Sequence, residues 1–232
     1  MKDVWKYIVV LLLFVMKIGV ASADGWIQIL PADLQLPELP SEGYVVSTRY
    51  VTELGGIEQI APFKVQETEV SCHDFLSVNT DLNRKRRRRV SLRCEAYPYE
   101  PVTGISIQEA RDYCKLKGGK LPTEQQWLAA ALYKQSGSFV STTQQVAIED
   151  EDQVDFVVDV DDALQQASGV IGMIGNVWEM TDTAWNGSQA SFVIKGGAFD
   201  MVETPYLLNP LFRAAYKPED TLNKNIGFRC IQ

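Results

Sequence analysis

The stretch Gly175–Glu179 has the sequence G-N-V-W-E, in which a glycine and an asparagine lead directly into two apolar residues and an acidic one. Glycine and asparagine are the residues that most readily adopt the left-handed backbone of tight turns. Two further turn signals follow, K-G-G at Lys195–Gly197 and G-F-R at Gly227–Arg229. The final third of the chain is therefore predicted to consist of short strands joined by tight turns.

Two helices are predicted in the middle of the chain, each by a capping box at its start. Ser106 with Glu109 begins the first helix, and Gly118 lies where that helix is expected to end. Thr123 with Gln126 begins the second helix. Together with the turn-rich final third, these helices predict an α+β fold with a low content of regular secondary structure.

The first 23 residues have the pattern of a secretory signal peptide. Lys2 and Lys6 precede an apolar run over residues 7–16, and the small residues Ala21 and Ala23 form a signal peptidase site. The run is too short to cross a bilayer, which takes about 20 residues. We expect a periplasmic or secreted protein with no membrane span after cleavage. An uncleaved N-terminal anchor is the alternative interpretation.

The remaining chain divides by composition. Residues 24–45 are rich in proline and leucine, which favours an extended N-terminal arm. Residues 46–232 are assigned to one domain. Alternating polarity within residues 46–70 predicts strands there, and a shorter alternation over residues 154–160 predicts another.

Charge and histidine content exclude two classes of function. The 232-residue chain has a formal net charge of −8 and an isoelectric point near 4.8, which argues against nucleic-acid binding. His73 is the single histidine, so a metal site built from several imidazoles is excluded. A negative protein remains compatible with a cation or a basic partner.

The chain contains four cysteines, an even number in a sequence that we expect to be exported. They are Cys72, Cys94, Cys114 and Cys230. Two disulfides are therefore predicted. Four cysteines allow three pairings, and their spacing alone does not select one of them.

Two charged segments stand out. Six consecutive residues are basic, namely Arg84, Lys85, Arg86, Arg87, Arg88 and Arg89. We interpret them as a solvated loop, with docking to acidic lipid headgroups or to an acidic protein as the functional alternative. Residues 149–162 are acidic but lack the D-x-D-x-D-G pattern of a calcium loop, so an exposed loop is predicted there.

Several short motifs follow one another in an order typical of one family. They are E-T-E-V at 67–70, P-V-T-G-I-S at 101–106, L-P-T-E with Trp127 at 121–127, G-N-V-W-E at 175–179, K-G-G at 195–197, Arg213, and I-G-F-R at 226–229. In this order they resemble the formylglycine-generating-enzyme (sulfatase-modifying-factor) family over residues 63–232. The resemblance implies a compact α+β domain related to C-type lectins.

The resemblance also implies a chemistry that this chain lacks the residues to perform. Enzymes of the family oxidise a substrate cysteine with copper, which two cysteines hold between the glycine-pair turn and the equivalent of Arg213. Here residues 198–212 contain no cysteine. The first position matches Met201, and the second falls in the four residues that begin at Tyr206. We expect no copper and no catalytic residue of the family type, and we name Asp200, Met201 and Tyr206 as candidate pocket residues.

The family resemblance selects one pairing of the cysteines. In the family, the first helix is bridged to the residue after G-F-R. The equivalent residues here are Cys114 and Cys230, which leaves Cys72 to pair with Cys94.

A candidate calcium site also follows from the resemblance alone. Its ligands would be the carbonyl oxygens of Gly175 and Val177 and the carboxylate of Glu179. Gly172 stands where the family has a further side-chain ligand, so the site would lack one oxygen. Calcium is the one cofactor that the resemblance suggests for this chain.

Three hypotheses for function follow. The first is a non-catalytic binding, accessory or regulatory component of the cell envelope, acting on a protein partner. The second is an oxidoreductase of the same family with altered, non-cysteine chemistry. The third is a lectin-like protein that binds a ligand. The sequence leaves the oligomeric state open.

Overall fold

A computed structural model of the chain describes residues 24–34, 48–78, 84–134, 157–163, 165–166, 168–201, 208–217 and 224–232. The predicted signal peptide, the later part of the predicted arm, the acidic segment up to residue 156, and Tyr206 lie outside these residues.

The described residues form an α+β fold of short elements, as predicted. The strands are β1 (Trp26–Ile29), β2 (Phe63–Gln66), β3 (Trp178–Trp185), β4 (Ser188–Lys195), β5 (Ala214–Tyr216) and β6 (Ile226–Gly227). The helices are α1 (Cys72–Ser77), α2 (Arg84–Ala96), α3 (Ile107–Leu116) and α4 (Glu124–Leu132). Single turns of 3-10 helix connect several of them.

The first sheet joins the beginning of the described chain to its last residues. Strands β1 and β2 are antiparallel, and Ile27 lies opposite Val65 in the register. Residues 230–232 then hydrogen-bond to β2, with Lys64 and Gln232 exchanging two backbone bonds of 2.9 Å. Ile231 also exchanges backbone bonds with Lys120. Backbone segments that are far apart in the sequence thus meet at β2.

The second sheet has the strand order β5-β4-β3-β6. Strands β3, β4 and β5 are antiparallel neighbours, and β6 is parallel to β3. Asn186 and Gly187 connect β3 to β4, both with left-handed φ, at 52° and 75°. Such a two-residue turn matches the twist of the strands it joins.

Two hydrophobic clusters fill the interior. One packs α1 and α3 against the second sheet, and it includes all four cysteines. The other packs α4 against the first sheet. Helix α4 ends with A-A-A-L, whose residues favour helix, and residues 127–132 are all buried, as expected for a helix surrounded by other elements.

The two predicted helix starts are confirmed. Ser106 Oγ accepts the backbone N–H of Glu109 while the Glu109 carboxylate accepts the backbone N–H of Ser106. Thr123 and Gln126 bond in the same reciprocal way at the start of α4. Each capping box satisfies backbone donors that a helix start would otherwise leave unpaired.

Both disulfides implied by the family resemblance are formed. Cys114 in α3 is bonded to Cys230, and Cys72 in α1 is bonded to Cys94 in α2. All four cysteines are buried.

The prediction of a loop at the basic run is wrong, because residues 84–89 begin helix α2. Arginine, lysine and leucine all favour helix, and the loop interpretation rested on charge alone. Among residues 88–96 of α2, whose burial is described, Val90 and Cys94 lie four residues apart and are buried, and Cys94 is bonded to α1.

Two further expectations are corrected. Trp26–Ile29 is a paired strand with Ile27 and Ile29 buried, so the predicted arm does not describe its first residues. Within residues 46–70, the described strand is β2, and Thr48–Tyr50 and Ile57–Gln59 are 3-10 turns. Residues 157–160 are not a strand, and residues 154–156 lie outside the described residues.

None of the helices in the described part of the chain is both long enough and apolar enough to cross a lipid bilayer.

Candidate functional site

The G-N-V-W-E stretch forms a tight turn that leads into β3. Gly175 and Asn176 have φ of 83° and 53°, in the left-handed region that glycine and asparagine tolerate. The Gly175 N–H donates to the Gly196 carbonyl at 2.9 Å, and the Phe199 N–H donates to the Asn176 carbonyl at 3.0 Å. The turn is therefore fixed against the K-G-G turn that ends β4.

A cluster of buried charges lies directly behind this turn. Glu179 of β3 accepts hydrogen bonds from the Arg229 guanidinium at 2.7, 2.8 and 3.0 Å, and from the Trp127 indole N–H at 2.8 Å. Arg229 also donates to the carbonyl oxygens of Gln66, Glu67 and Ile171. The arginine of G-F-R thus ties β2, β3 and the segment before the turn together.

Glu69 is the second carboxylate of this cluster. It is fully buried, lies 3.8 Å from Arg229, and accepts a hydrogen bond from the Asn176 side chain at 3.1 Å. Burial raises the pKa of Glu69 to about 8, so this carboxyl is mainly protonated at neutral pH. Burial opposes the charge on Arg229, but the Glu179 carboxylate outweighs it and raises the pKa of Arg229. The dominant ion pair is therefore Glu179 with Arg229.

The predicted calcium ligands do not fit a calcium ion in this arrangement. Both carboxylate oxygens of Glu179 already accept hydrogen bonds from Arg229 and Trp127. The space beside Gly172 is filled, because a Cβ there would lie 2.7 Å from the carboxyl carbon of Glu69. No group of three or more acidic, cysteine or histidine side chains among the described residues is placed to hold a metal. The turn formed by Gly175 and Val177 is stabilised by protein groups.

A second buried charge, Lys195, lies at the end of β4. Its ammonium donates to the Phe212 carbonyl at 2.8 Å and to the Thr52 hydroxyl, and it lies 5.5 Å from the Trp127 ring centroid. The Thr52 hydroxyl in turn donates to Glu124 at 2.7 Å. Lys195 is fully buried, and burial lowers its pKa to about 7. It links β4 to the segment that precedes β5.

Arg213, the residue that ends the interval of the missing cysteines, belongs to the same network. Its Nε lies 3.2 Å from the Glu124 carboxylate, and its guanidinium lies 4.7 Å from the Trp185 ring centroid. The motifs K-G-G, L-P-T-E and Arg213 are therefore joined by polar contacts among buried or half-buried side chains.

The candidate pocket residues are brought together only in part. Asp200 and Met201 belong to the 3-10 turn Phe199–Met201. The Asp200 carboxylate accepts a hydrogen bond from the Asn225 side chain at 2.7 Å, and Met201 is half-buried at the margin of the first core. Tyr206 lies outside the described residues, so its place relative to them stays a prediction.

The basic run belongs to helix α2. The side chains described in the run, Arg88 and Arg89, are exposed. Three large apolar or aromatic side chains on or just after the helix are exposed as well: Leu92 at 58%, Tyr97 at 54% and Tyr99 at 58%.

With this fold and these motifs in place, the class of protein is defined by comparison with known families. The model of the family FGE-sulfatase, described as the sulfatase-modifying factor enzyme 1-like domain, matches residues 56–232. The chain belongs to this family, as its motifs predict.

Individual relatives are distant. The uncharacterized protein YfmG of Bacillus subtilis strain 168 is 26% identical over 207 residues, which are 71% of this chain and 42% of YfmG. The chain thus spans less than half the length of this curated relative.

Solved structures share the fold at low identity. The crystal structure of CarF has a TM-score of 0.58 and 15% identity, covering 89% of this chain and 97% of CarF. PvdO from Pseudomonas aeruginosa has a TM-score of 0.51 and 17% identity, covering 73% and 80% of the two chains. Treponema denticola variable protein 1 has a TM-score of 0.51 and 15% identity, covering 74% and 84%. At such identities the likeness shows the fold alone.

Proposed function

We propose that this chain is a non-catalytic member of its family that acts outside the cytoplasm as a binding or regulatory component. The observation that carries the proposal concerns its cysteines. The chain has four, and all four are used in the disulfides Cys72–Cys94 and Cys114–Cys230. Copper(I) is a soft ion that proteins hold with thiolates, so this chain offers it no pair of ligands of the family type.

The buried polar contacts support the same conclusion. Glu179 with Arg229 connects G-N-V-W-E to G-F-R, and Lys195 connects K-G-G through Thr52 to Glu124 of L-P-T-E, all by buried side chains. Such groups fix the relative positions of the turns around them. A domain whose turns are held in place, and which lacks the cysteine pair of the family, is suited to binding a partner through its surface.

The basic helix α2 is the surface that we assign to the partner. The protein as a whole is negative, yet α2 begins with six basic residues and carries exposed Leu92, Tyr97 and Tyr99 nearby. Arginine and tyrosine side chains are enriched where proteins bind one another. A positive patch of this kind attracts and orients an acidic surface. The partner is therefore expected to be an acidic protein of the cell envelope.

The location outside the cytoplasm rests on two features. The N-terminal 23 residues have the pattern of a signal peptide, and disulfides persist mainly in oxidising compartments. Mass spectrometry of the protein from its native cell tests this proposal. A mature N-terminus at Asp24 in the envelope fraction supports it, and an intact N-terminus in the cytoplasm contradicts it.

The absence of catalysis is tested with purified protein, copper(I), oxygen and a cysteine-containing sulfatase peptide. We expect no mass change in the peptide, and no stoichiometric copper or iron in the protein as isolated. Stoichiometric metal together with peptide oxidation would instead establish the oxidoreductase hypothesis.

Partner binding is tested by crosslinking and capture from the native envelope. The variant Arg88→Glu with Arg89→Glu reverses two charges on α2, and Lys115→Glu with Lys120→Glu reverses two exposed charges elsewhere. We expect the first variant to lose the captured protein and the second to keep it, with capture weakening at high salt. Failure to capture any protein, or equal capture by both variants, would contradict the assignment of α2. Binding of α2 to anionic vesicles instead would identify lipid as the target.

A further inference from the structure

The exposed face of helix α2 carries charges of opposite sign on the two sides of an apolar residue. Arg88 and Arg89 are exposed in the first half of the helix, and Glu95 is exposed in its last turn. Leu92 lies between them and is 58% exposed. Residues three or four positions apart share one side of a helix, so Leu92 shares a side with both arginines and with Glu95. The order along this face is therefore basic, apolar and acidic.

The opposite side of α2 is held against the domain. Val90 and Cys94 are buried, and Cys94 is bonded to Cys72 of α1. Leu92 lies two positions from each of them, which is roughly half a turn around an α-helix. The face that carries Leu92 therefore points away from the domain and is open to another molecule.

The charges on this face are not those that stabilise a helix by itself. A helix favours acidic residues at its beginning, and α2 has none in its first turn. The basic run includes residues four positions apart, such as Lys85 and Arg89, and like charges at this spacing repel. No basic residue stands three or four positions before Glu95 in the sequence to pair with it. Charges from outside the helix, negative beside its beginning and positive beside its end, would stabilise it.

A second copy of the same helix supplies both charges. When two α2 helices cross antiparallel about a two-fold axis at Leu92, each residue meets the one that lies equally far on the other side of Leu92. Arg89 and Glu95 are each three positions from Leu92. Arg89 of each copy therefore lies opposite Glu95 of the other, and the two Leu92 side chains meet at the axis. The face is complementary to itself in charge and in its apolar centre.

The acidic end of α2 is reinforced by a neighbouring segment. The Val160 N–H donates to the Tyr99 carbonyl at 2.9 Å, just beyond the end of the helix. This bond places Asp159 and Asp161, on either side of Val160, beside that end, and Asp161 is exposed. In the antiparallel pair, the basic beginning of the second α2 approaches this acidic end, which favours the association.

We propose that α2 pairs antiparallel with α2 of a second copy of this chain and forms a two-fold dimer centred on Leu92. The dimer goes beyond the proposed function but uses the same face of α2, so the second copy and the acidic partner compete for it. The dimer does not depend on that partner. It is tested with the purified protein alone, whereas the partner is tested by capture from the envelope.

The experiment is sedimentation equilibrium of the purified protein from micromolar to millimolar concentration. Two-fold symmetry places each substitution in both ion pairs, so Arg89→Glu and Glu95→Arg should each weaken the dimer by at least about tenfold. The double variant Arg89→Glu with Glu95→Arg re-forms both pairs with reversed sign and should restore the dimer. Lys115→Glu reverses a charge at an exposed position outside α2 and should leave the dimer unchanged.

A cysteine at the axis tests the geometry. Leu92→Cys should form a disulfide between two copies under oxidising conditions, because a residue on the two-fold axis meets its own equivalent. Tyr97→Cys is the matched control, since Tyr97 is exposed but lies off the axis and should not crosslink to itself. Mass spectrometry of the crosslinked species checks that Cys72–Cys94 is intact in each copy.

A monomer at every concentration would overturn the proposal. Dimerisation that survives either single charge reversal, or that the double variant does not restore, would overturn the antiparallel pairing. The two proposals for α2 are separable: a monomer that still captures an envelope protein keeps the partner and removes the dimer, and a dimer that captures nothing does the reverse. All substituted residues are exposed, so the variants are expected to fold, and thermal unfolding checks this independently.

Discussion

The disulfide between Cys114 and Cys230 is expected to contribute more to stability than the one between Cys72 and Cys94. The residues joined are 116 apart in the first disulfide and 22 apart in the second. The perturbation is replacement of each pair by alanine, Cys114→Ala with Cys230→Ala against Cys72→Ala with Cys94→Ala. The two loops do not overlap in sequence, so each pair can be removed while the other still constrains the unfolded chain.

The magnitude follows from the entropy of closing each loop in the unfolded state. The chain-entropy relation gives about 4.9 kcal/mol for a loop of 116 residues and about 3.4 kcal/mol for one of 22. The loss of packing should be similar in the two variants, because all four sulfur atoms belong to buried residues of one core cluster. The difference between the variants, about 1.5 kcal/mol, therefore isolates the effect of loop length.

The assay is equilibrium unfolding in urea, followed by tryptophan fluorescence under oxidising conditions. Mass spectrometry confirms that the remaining disulfide is intact, and equal slopes of free energy against urea confirm that the same surface unfolds in both variants. The reasoning is refuted if removal of Cys72–Cys94 lowers the free energy of unfolding as much as removal of Cys114–Cys230, or more.

Three further predictions concern buried groups. The pKa of Lys195 is about 7 in the folded protein, against an ordinary value of 10.5. Below pH 7 folding buries a charged ammonium, which lowers the free energy of unfolding. This loss decreases as the pH rises from 7 to 10.5, because the folded protein then holds the neutral amine. The free energy of unfolding should therefore rise over this window by up to about 5 kcal/mol, and Lys195→Met should flatten the rise in urea titrations at several pH values. Glu179→Gln breaks a fully buried ion pair and should lower the free energy of unfolding by about 3–5 kcal/mol. The double variant Glu179→Gln with Arg229→Met should lose less free energy of unfolding than the two single variants lose together. Additive losses in calorimetry would contradict coupling between the two residues. Gly172→Ala should destabilise the protein more than Gly187→Ala, because both glycines have positive φ but only the first lies against a buried carboxylate; equal melting temperatures would disprove the close contact.

Features fixed by local chemistry could be predicted from the sequence. The capping boxes at Ser106 and Thr123 each need only four residues, so their hydrogen bonds follow from the sequence itself. The pairing of Cys114 with Cys230 joins residues far apart in the chain, and it was accessible only through the family resemblance. Spacing alone left three pairings open.

Helix α2 and strand β1 depend on packing in the folded chain and are not predicted from the sequence. The charge of the basic run predicts a solvated loop, but the helix propensity of arginine, lysine and leucine favours α2, and Val90 and Cys94 alone do not give an amphipathic sequence pattern. The strand at Trp26–Ile29 was hidden by the prolines that follow it. Its alternation of exposed and buried residues covers only four positions.

The candidate site could be predicted in its position but not in its chemistry. Glu179 was recognised as a central residue, yet as a calcium ligand, because the distant Arg229 that occupies its oxygens comes close only in the folded chain. Glu69 belongs to the E-T-E-V motif, from which no role for it is predicted. The burial of Glu69 and of the adjacent Val70 is seen only in the folded chain. The K-G-G motif predicts a turn at Lys195, and no local pattern shows that its ammonium is buried.

The backbone bonds between residues 230–232 and strand β2 have a consequence for how the domain assembles. During synthesis β1 and β2 appear long before residue 231, and two paired strands alone are only marginally stable in water. Contacts over such separations also slow folding, because the loop between them must close first. We therefore expect the first sheet to remain unformed until residues 230–232 are available, which leaves the apolar side chains of Ile27, Ile29 and Val65 accessible to chaperones until then.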